Sequence, residues 1–94
     1  MKQTKDVDNL FKAILSLKTT EECYRFFEDI CTVREVLDIA QRLKAADMLR
    51  DGKNYAEVYA ETGMSTATIS RVSKSLERGQ GGYGLVLERM KNEQ

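Results

Sequence analysis

"GMSTATISRVSKSLERG", residues 63–79, decides how the second half of the chain folds. A glycine opens the stretch, and Ile69, Val72 and Leu76 follow at spacings of three and four, which puts them on one face of a helix. Ser65, just before this helix, belongs to a residue type preferred at helix N-caps. The stretch therefore predicts a turn followed by a helix with one apolar and one polar face.

The residues before this stretch complete a helix-turn-helix. Asn54 and Glu57 have the spacing of a capping box, which predicts a short helix that begins after Asn54 and ends at Gly63. Val58 on that helix faces the apolar side of the next one, and Gly63 supplies the tight turn between them. Residues 54–77 are thus predicted to form the two-helix arrangement with which many proteins enter the major groove of DNA.

Helical patterns and capping signals also divide the first half of the chain. The first stripe of apolar residues at helical spacing consists of Val7, Leu10, Phe11, Ile14 and Leu15. Two pairs have capping-box spacing, in which a hydroxyl accepts from the N3 amide and a carboxylate reaches back to the cap: Thr19 with Glu22, and Thr32 with Glu35. The third helix should run to about Arg50, with Gly52 as its left-handed stop.

A glycine-rich run, residues 79–84, overlaps the start of the last predicted helix, residues 83–92. Gly79, Gly81 and Gly84 match the GxGxxG pattern of dinucleotide-binding proteins. That pattern requires a preceding strand within a βαβ unit, whereas here a helix precedes it and no strand is predicted. We therefore interpret the run as a helix stop and a connector. The fold is predicted to be all-α, with six helices in one domain.

Composition limits the classes of function that the chain can have. Lys plus Arg and Asp plus Glu both number 15, so the zero net charge gives no general signal of polyanion binding. Residues 71–91 nevertheless carry five basic side chains against two acidic ones, a mild local excess of positive charge. The sequence has no histidine, no nucleophile and base at a recognisable spacing and no P-loop, so an enzyme is not expected.

The two cysteines, Cys23 and Cys31, are expected to be reduced and to behave as small hydrophobic residues. Without a CxxC pair or a histidine they do not suit an ordinary zinc site, and no metal or cofactor is predicted. No stretch approaches the roughly 20 apolar residues of a membrane span, and the N-terminus lacks the apolar core of a signal peptide. A soluble cytoplasmic protein is therefore expected.

Small and basic side chains remain on the outward face of the helix that follows Gly63. A recognition helix reads base edges with its N-terminal residues, which must be small enough for the helix to enter the groove. We predict base contacts from Thr66, Ala67 and Ser70, whose hydroxyl and methyl groups suit a flexible readout. The residues predicted to hold DNA phosphates are Lys53, Asn54, Tyr55, Arg71 and Lys74.

Helix-turn-helix spacing alone does not identify a DNA-binding protein, and Tyr59 stands at a position of the motif that a small residue usually occupies. Two longer stretches are more specific. "TATISRVSKSL", residues 66–76, resembles the reading helix of the tryptophan repressor, and "CTVREVLDIAQRLKAADMLRDG", residues 31–52, resembles the helix that precedes its helix-turn-helix. The chain is most similar to the YerC/YecD-type branch of the Trp repressor superfamily, and the resemblance covers essentially its whole length.

The resemblance implies a six-helix, Trp-repressor-like fold and an intertwined homodimer, with two helix-turn-helix units facing successive major grooves. Residues 1–51 would be dimerisation helices, residues 54–77 the helix-turn-helix and residues 83–92 the C-terminal helix of a single domain, residues 1–94. A two-fold dimer requires a pseudo-palindromic site with half-sites about 34–36 Å apart. The chain is also too short to bury all of its large apolar residues comfortably: Phe11, Ile14, Leu15, Phe26, Phe27 and Ile30.

The same resemblance marks a candidate effector pocket. In the repressor, tryptophan lies between two arginines, and a glycine beside one of them leaves room for the indole. Here Arg42 and Arg71 match the arginines, but Val72 stands at the glycine position. Overfilling a packed site costs about 1–3 kcal/mol, so tryptophan is not expected to bind. The pocket implied by the resemblance consists of Thr32, Arg42, Thr68, Arg71, Val72 and Ser75.

Two functions of different classes remain open. The first is a bacterial, sequence-specific DNA-binding transcriptional regulator, expected to repress and to act as a homodimer. The second is a helical protein–protein adaptor that keeps helix-turn-helix geometry without reading DNA, which the neutral net charge leaves open.

The two arginines that match the repressor's ligand site also have a simpler explanation. Arg71 would be a phosphate contact, and Arg42 would form an ion pair with Asp38 or Glu35.

Overall fold

The computed structural model describes residues 1–93, which form six α-helices and no strand. The predicted all-α fold is thus confirmed. The helices are α1 (Lys5–Leu15), α2 (Thr20–Ile30), α3 (Val33–Arg50), α4 (Tyr55–Thr62), α5 (Thr66–Arg78) and α6 (Gly82–Asn92). None of these helices is long and apolar enough to cross a membrane.

Side-chain caps begin the helices largely where the sequence predicts them. Thr32 and Glu35 form a reciprocal box before α3, with the Glu35 amide 3.1 Å from the Thr32 hydroxyl and the Thr32 amide 2.8 Å from the Glu35 carboxylate. At α2 the expected box is altered. Thr19 accepts from the Glu22 amide at 3.1 Å, but the Glu22 carboxylate accepts from the amide of Lys18 at 2.9 Å, one residue beyond the cap.

The chain divides into two compact units, Met1–Val36 and the part from Leu37 onward. The first unit has no buried residue in α1 or α2. In the predicted stripe of α1, Val7, Leu10 and Ile14 are half-buried, whereas 46% of Phe11 and 83% of Leu15 are exposed. The helices of this unit therefore leave much apolar surface uncovered within one chain.

The second unit contains the hydrophobic core. Its buried members are Ala45, Ala46, Val58, Met64, Ile69, Val72 and Leu87, and Leu43, Met48, Leu49, Leu76 and Tyr83 pack against them. The predicted inward stripe of α5 is confirmed, because Ile69 and Val72 are buried and Leu76 joins the core. In α6, Leu87 is buried, whereas Met90, three residues later, is 47% exposed.

Residues 79–81 of the glycine-rich run separate α5 from α6, and residues 82–84 begin α6. Gly79 ends α5, and its amide donates to the Ser75 carbonyl at 3.0 Å. A Cβ at position 79 would collide with that same carbonyl oxygen, so this position needs glycine for space. The run thus ends one helix and leads into the next, in agreement with its interpretation as a helix stop and connector.

Candidate nucleic-acid interface

The turn between α4 and α5 is held by hydrogen bonds on both sides. Gly63 adopts the left-handed conformation with φ +69°, and its amide donates to the Tyr59 carbonyl at 2.8 Å. The buried Thr62 hydroxyl donates to the Val58 carbonyl at 2.7 Å and accepts from the Met64 amide at 3.2 Å. The Thr62 hydroxyl thus satisfies two backbone groups of the turn, which explains why a polar side chain is buried there.

Helix α3 is tied to the same turn. The side-chain amide of Gln41 donates to the Thr62 carbonyl at 3.1 Å, and Lys44 pairs with Glu61 at 3.2 Å. The Lys44–Glu61 pair is exposed and contributes little. The Gln41 bond is partly buried and fills one of the carbonyl acceptors that the end of α4 leaves unpaired.

The orientation of α5 follows from its cap and its core contacts. Ser65 caps the helix by accepting from the Thr68 amide at 3.2 Å. Because Ile69 and Val72 are 0% and 2% exposed, the opposite face of the helix points to solvent. All three residues predicted to contact bases begin this helix, with Thr66 and Ala67 exposed and Ser70 half-buried.

Two of the predicted phosphate-binding residues lie further along α5. Arg71 and Lys74 are both exposed. Within residues 1–93, neither side chain forms an ion pair. The helix carries no acidic residue before Glu77. The outward face of α5 is therefore a small, uncompensated positive surface of the kind that attracts a polyanion.

The other three predicted phosphate-binding residues lie at the start of α4, and two of them already contact Glu57. Lys53 pairs with Glu57 at 3.8 Å. The Asn54 side chain caps α4 by accepting from the Glu57 backbone amide at 2.9 Å, and the backbone amide of Asn54 donates to the Glu57 carboxylate at 3.4 Å. Tyr55 is 40% exposed. The Glu57 carboxylate thus places a negative charge beside Lys53, which sequence reasoning did not take into account.

A pocket of about 350 Å³ lies beside α5. It is lined by Arg42 of α3, Tyr83 of α6 and four residues of α5, Thr68, Arg71, Val72 and Ser75. The structure therefore brings together five of the six residues of the candidate effector pocket. Tyr83 is an addition, because it lies within the glycine-rich run and no sequence spacing relates it to α5.

Two further observations bear on this pocket. Thr32 belongs to the first unit, where its hydroxyl caps α3. Arg42 forms no ion pair in the described part of the chain, so the ion pair with Asp38 or Glu35 considered above is absent. No cluster of potential metal ligands occurs among the described residues.

The pKa of the Glu35 carboxyl group is lower than that of an ordinary glutamate. The backbone amide of Thr32, followed by the Thr32 hydroxyl, donates to its carboxylate and lowers the pKa of Glu35 below the ordinary value. Hydrogen bonds to the charged form favour ionisation, which is the cause of the shift. The ionised carboxylate also lies in the first turn of α3, where a negative charge is favourable.

Helices α4 and α5, joined by the turn at Gly63, form a helix-turn-helix, an arrangement found in many DNA-binding proteins. The chain belongs to the Trp repressor protein family, which it matches over residues 5–91. Other proteins are similar to this chain in sequence and in fold. Over 87 residues it is 54% identical to the uncharacterized protein YerC of Bacillus subtilis, a match that covers 93% of this chain and 84% of YerC.

Two solved structures are similar throughout. A candidate Trp repressor from Staphylococcus aureus is 48% identical with a TM-score of 0.91, over 95% of this chain and 89% of that one. A TrpR-like protein from Eubacterium eligens is 50% identical with a TM-score of 0.92, over 95% of this chain and 92% of that one. The predicted Trp-repressor-like fold and family are thus confirmed.

Proposed function

We propose that this protein is a sequence-specific DNA-binding transcriptional regulator of the Trp repressor family, expected to repress and to act in the cytoplasm. The observation that carries the proposal is the outward face of α5. Small residues begin the helix, exposed Arg71 and Lys74 follow without an ion pair to any of residues 1–93, and α5 contains no acidic residue before Glu77. Thr66, Ala67 and Ser70 would contact base edges, while Arg71 and Lys74 would hold phosphates.

The residues at the start of α4 contribute less in this proposal. Tyr55 has an exposed side chain that can donate to a phosphate. To contact a phosphate, Lys53 must first break its ion pair with Glu57. The free-energy cost is small, because both side chains of the pair are about half-exposed. Asn54 can offer only the part of its amide that capping does not use.

A homodimer is part of the proposal. Residues 1–51 would form the dimerisation helices, residues 54–77 the reading unit and residues 83–92 the C-terminal helix of one domain. The support is the apolar surface left open in α1 and α2, where Leu15, Tyr24 and Ile30 are 83%, 66% and 51% exposed. Such a surface on a small chain is typical of a subunit interface. Two subunits would read half-sites about 34–36 Å apart.

We also propose that tryptophan is not the effector, because Val72 occupies the pocket floor with only 2% of its surface exposed. A ligand that needed the space of this side chain would have to displace a core residue.

Selection of sites from a random duplex pool, followed by titration of the selected duplex at several salt concentrations, tests the proposal. A regulator of this kind should select a two-fold related sequence and lose affinity steeply as salt rises, because bound phosphates release counterions. The contrary result, no binding to any duplex at low salt, would favour a protein–protein adaptor.

A further inference from the structure

Two tyrosines one turn apart form an aromatic flank on α4. Val58 and Thr62 are buried and mark the side of the helix that faces the core. Tyr55 and Tyr59, four positions apart, lie beside that buried line and are 40% and 58% exposed. Neither tyrosine hydroxyl forms a hydrogen bond within residues 1–93. The aromatic flank, Tyr55 and Tyr59, therefore presents two hydroxyl groups that are available to a partner outside the chain.

The other flank of α4 is acidic and already engaged. Glu57 pairs with Lys53 at 3.8 Å, and Glu61 pairs with Lys44 of α3 at 3.2 Å. A helix turns by about 100° per residue, which places these two glutamates on the side of Val58 opposite the tyrosines. Because Lys44 belongs to α3, the acidic flank is turned toward α3 and the aromatic flank away from it.

Charge decides which flank of α4 suits DNA. In a helix-turn-helix the second helix enters the major groove while the first crosses the sugar–phosphate backbone. Carboxylates directed at phosphates would repel them, whereas a phenol hydroxyl can donate a hydrogen bond to a phosphate oxygen. The aromatic flank also continues into the reading helix, since the Tyr59 carbonyl accepts from the amide of Gly63 in the turn before α5 at 2.8 Å.

We propose that Tyr59 is a further DNA contact of this protein and that its hydroxyl donates to a backbone phosphate beside the one held by Tyr55. This contact rests on the proposed function, in which α5 reads the major groove. It gives a role to a large residue at a position of the motif that a small residue usually occupies. The tyrosine is tolerated there because more than half of its surface is exposed, so it does not displace the core between α4 and α5.

An uncharged contact has a signature that a lysine cannot give. A basic side chain that neutralises a phosphate releases a counterion, and each such contact steepens the dependence of log affinity on log salt by about 0.9. A phenol hydroxyl releases no counterion. Loss of the Tyr59 hydroxyl should therefore lower DNA affinity by the same factor at every salt concentration, whereas loss of Lys74 should also flatten the salt dependence.

Tyr59→Phe in the full chain tests the contact, because it removes only a hydroxyl that has no partner within residues 1–93. Tyr24→Phe is the matched control, the same change at a tyrosine of α2 that is 66% exposed. Fluorescence anisotropy measures the affinity of each chain for the selected duplex at several salt concentrations. We expect about a tenfold loss in Tyr59→Phe, as for a hydrogen bond to a charged group, and less than about a twofold change in Tyr24→Phe. An affinity of Tyr59→Phe equal to that of the parent, or a loss that also flattens the salt dependence, would overturn the proposal.

Fluorine NMR locates the contact directly. The chain has four tyrosines, so 3-fluorotyrosine gives four resonances, which single replacements of tyrosine by phenylalanine assign. When the duplex is added, the Tyr59 resonance should shift and the Tyr24 resonance should stay in place. An unshifted Tyr59 resonance in protein saturated with duplex would overturn the contact while leaving the proposed function intact. A parent chain that binds no duplex at low salt would instead refute the proposed function and this contact with it.

Discussion

Arg71 and Val72 are adjacent on α5 and line the same pocket, yet the Arg71 side chain is exposed and Val72 is only 2% exposed. The helix turns by about 100° per residue, so one of the two neighbours reaches solvent while the other enters the core. The charged wall and the apolar floor of the pocket thus come from consecutive positions. This relationship determines what the pocket can accept.

Free L-tryptophan should not bind. Val72 fills the space that an indole would need, so calorimetric titration of the parent chain should give no saturable heat at micromolar concentrations. Val72→Gly opens this space, but it also removes a core side chain and adds a helical glycine, which together cost a few kcal/mol. Tryptophan binding that appears only in a folded Val72→Gly variant would identify the valine as the barrier. Micromolar binding by the parent would contradict this prediction.

Lys74 and the residues that begin α5 should affect DNA binding differently. Lys74→Ala should weaken binding to all duplexes alike and reduce the salt slope by about one, because one phosphate contact is lost. Ser70→Ala and Thr66→Ala should change the order of preference among sites, since these hydroxyls face base edges. Competition binding on a panel of single-base variants of the selected site makes the comparison. Equal losses on every site for all three variants would refute the base-reading assignment.

Leu15→Glu should reduce dimerisation without unfolding the chain. The side chain is 83% exposed within one subunit, so it contributes little to the core of that subunit but much to an interface that covers it. Asn9→Glu, an exposed polar position on the same helix, is the matched control. Light scattering after size-exclusion chromatography should give a dimer for the parent and for Asn9→Glu. A parent that is monomeric at tens of micromolar would contradict the dimer.

Gly63→Ala should destabilise the fold for a purely conformational reason. An added Cβ would meet no atom within 4 Å, but the residue has φ +69°. A left-handed backbone costs a non-glycine residue about 1–2 kcal/mol, and urea unfolding should show a loss of that size. Gly82→Ala is the control, because a Cβ added there also meets no atom within 4 Å and the φ of Gly82 is not positive. Its free energy of unfolding should be unchanged or slightly raised.

Glu35 should titrate below the ordinary range for a glutamate, since hydrogen bonds from Thr32 lower its pKa. A lowered pKa in the folded state adds stability that is present above the unfolded-state pKa and is lost as pH falls through the folded-state value. Thr32→Ala removes the hydroxyl but keeps the backbone amide, the larger cause of the shift. The Glu35 pKa in Thr32→Ala, followed by carbon-detected NMR, should therefore rise only partly. A complete return to the ordinary value would show that the hydroxyl dominates.

Local features of the sequence predicted most of the helices and their ends. Capping pairs such as Thr32 with Glu35 act over three residues, so spacing alone identifies them. The stripe of Ile69 and Val72 was equally readable, because it depends only on helical periodicity. At α2 the Glu22 carboxylate accepts from the amide of Lys18 instead of that of Thr19, a choice between neighbouring amides that residue spacing does not determine.

By itself, the sequence determined the helices, the turn at Gly63 and the outward face of α5, since each depends on residues that are near one another in the chain. It also determined the family, through longer stretches of matching residues. Only the tertiary structure decided the contacts between distant segments. Tyr83 lines the pocket with Arg42 although 41 positions separate them in the numbering, and Gln41 reaches the carbonyl of Thr62 across 21. Such contacts depend on how helices pack, and no short-range spacing encodes that packing.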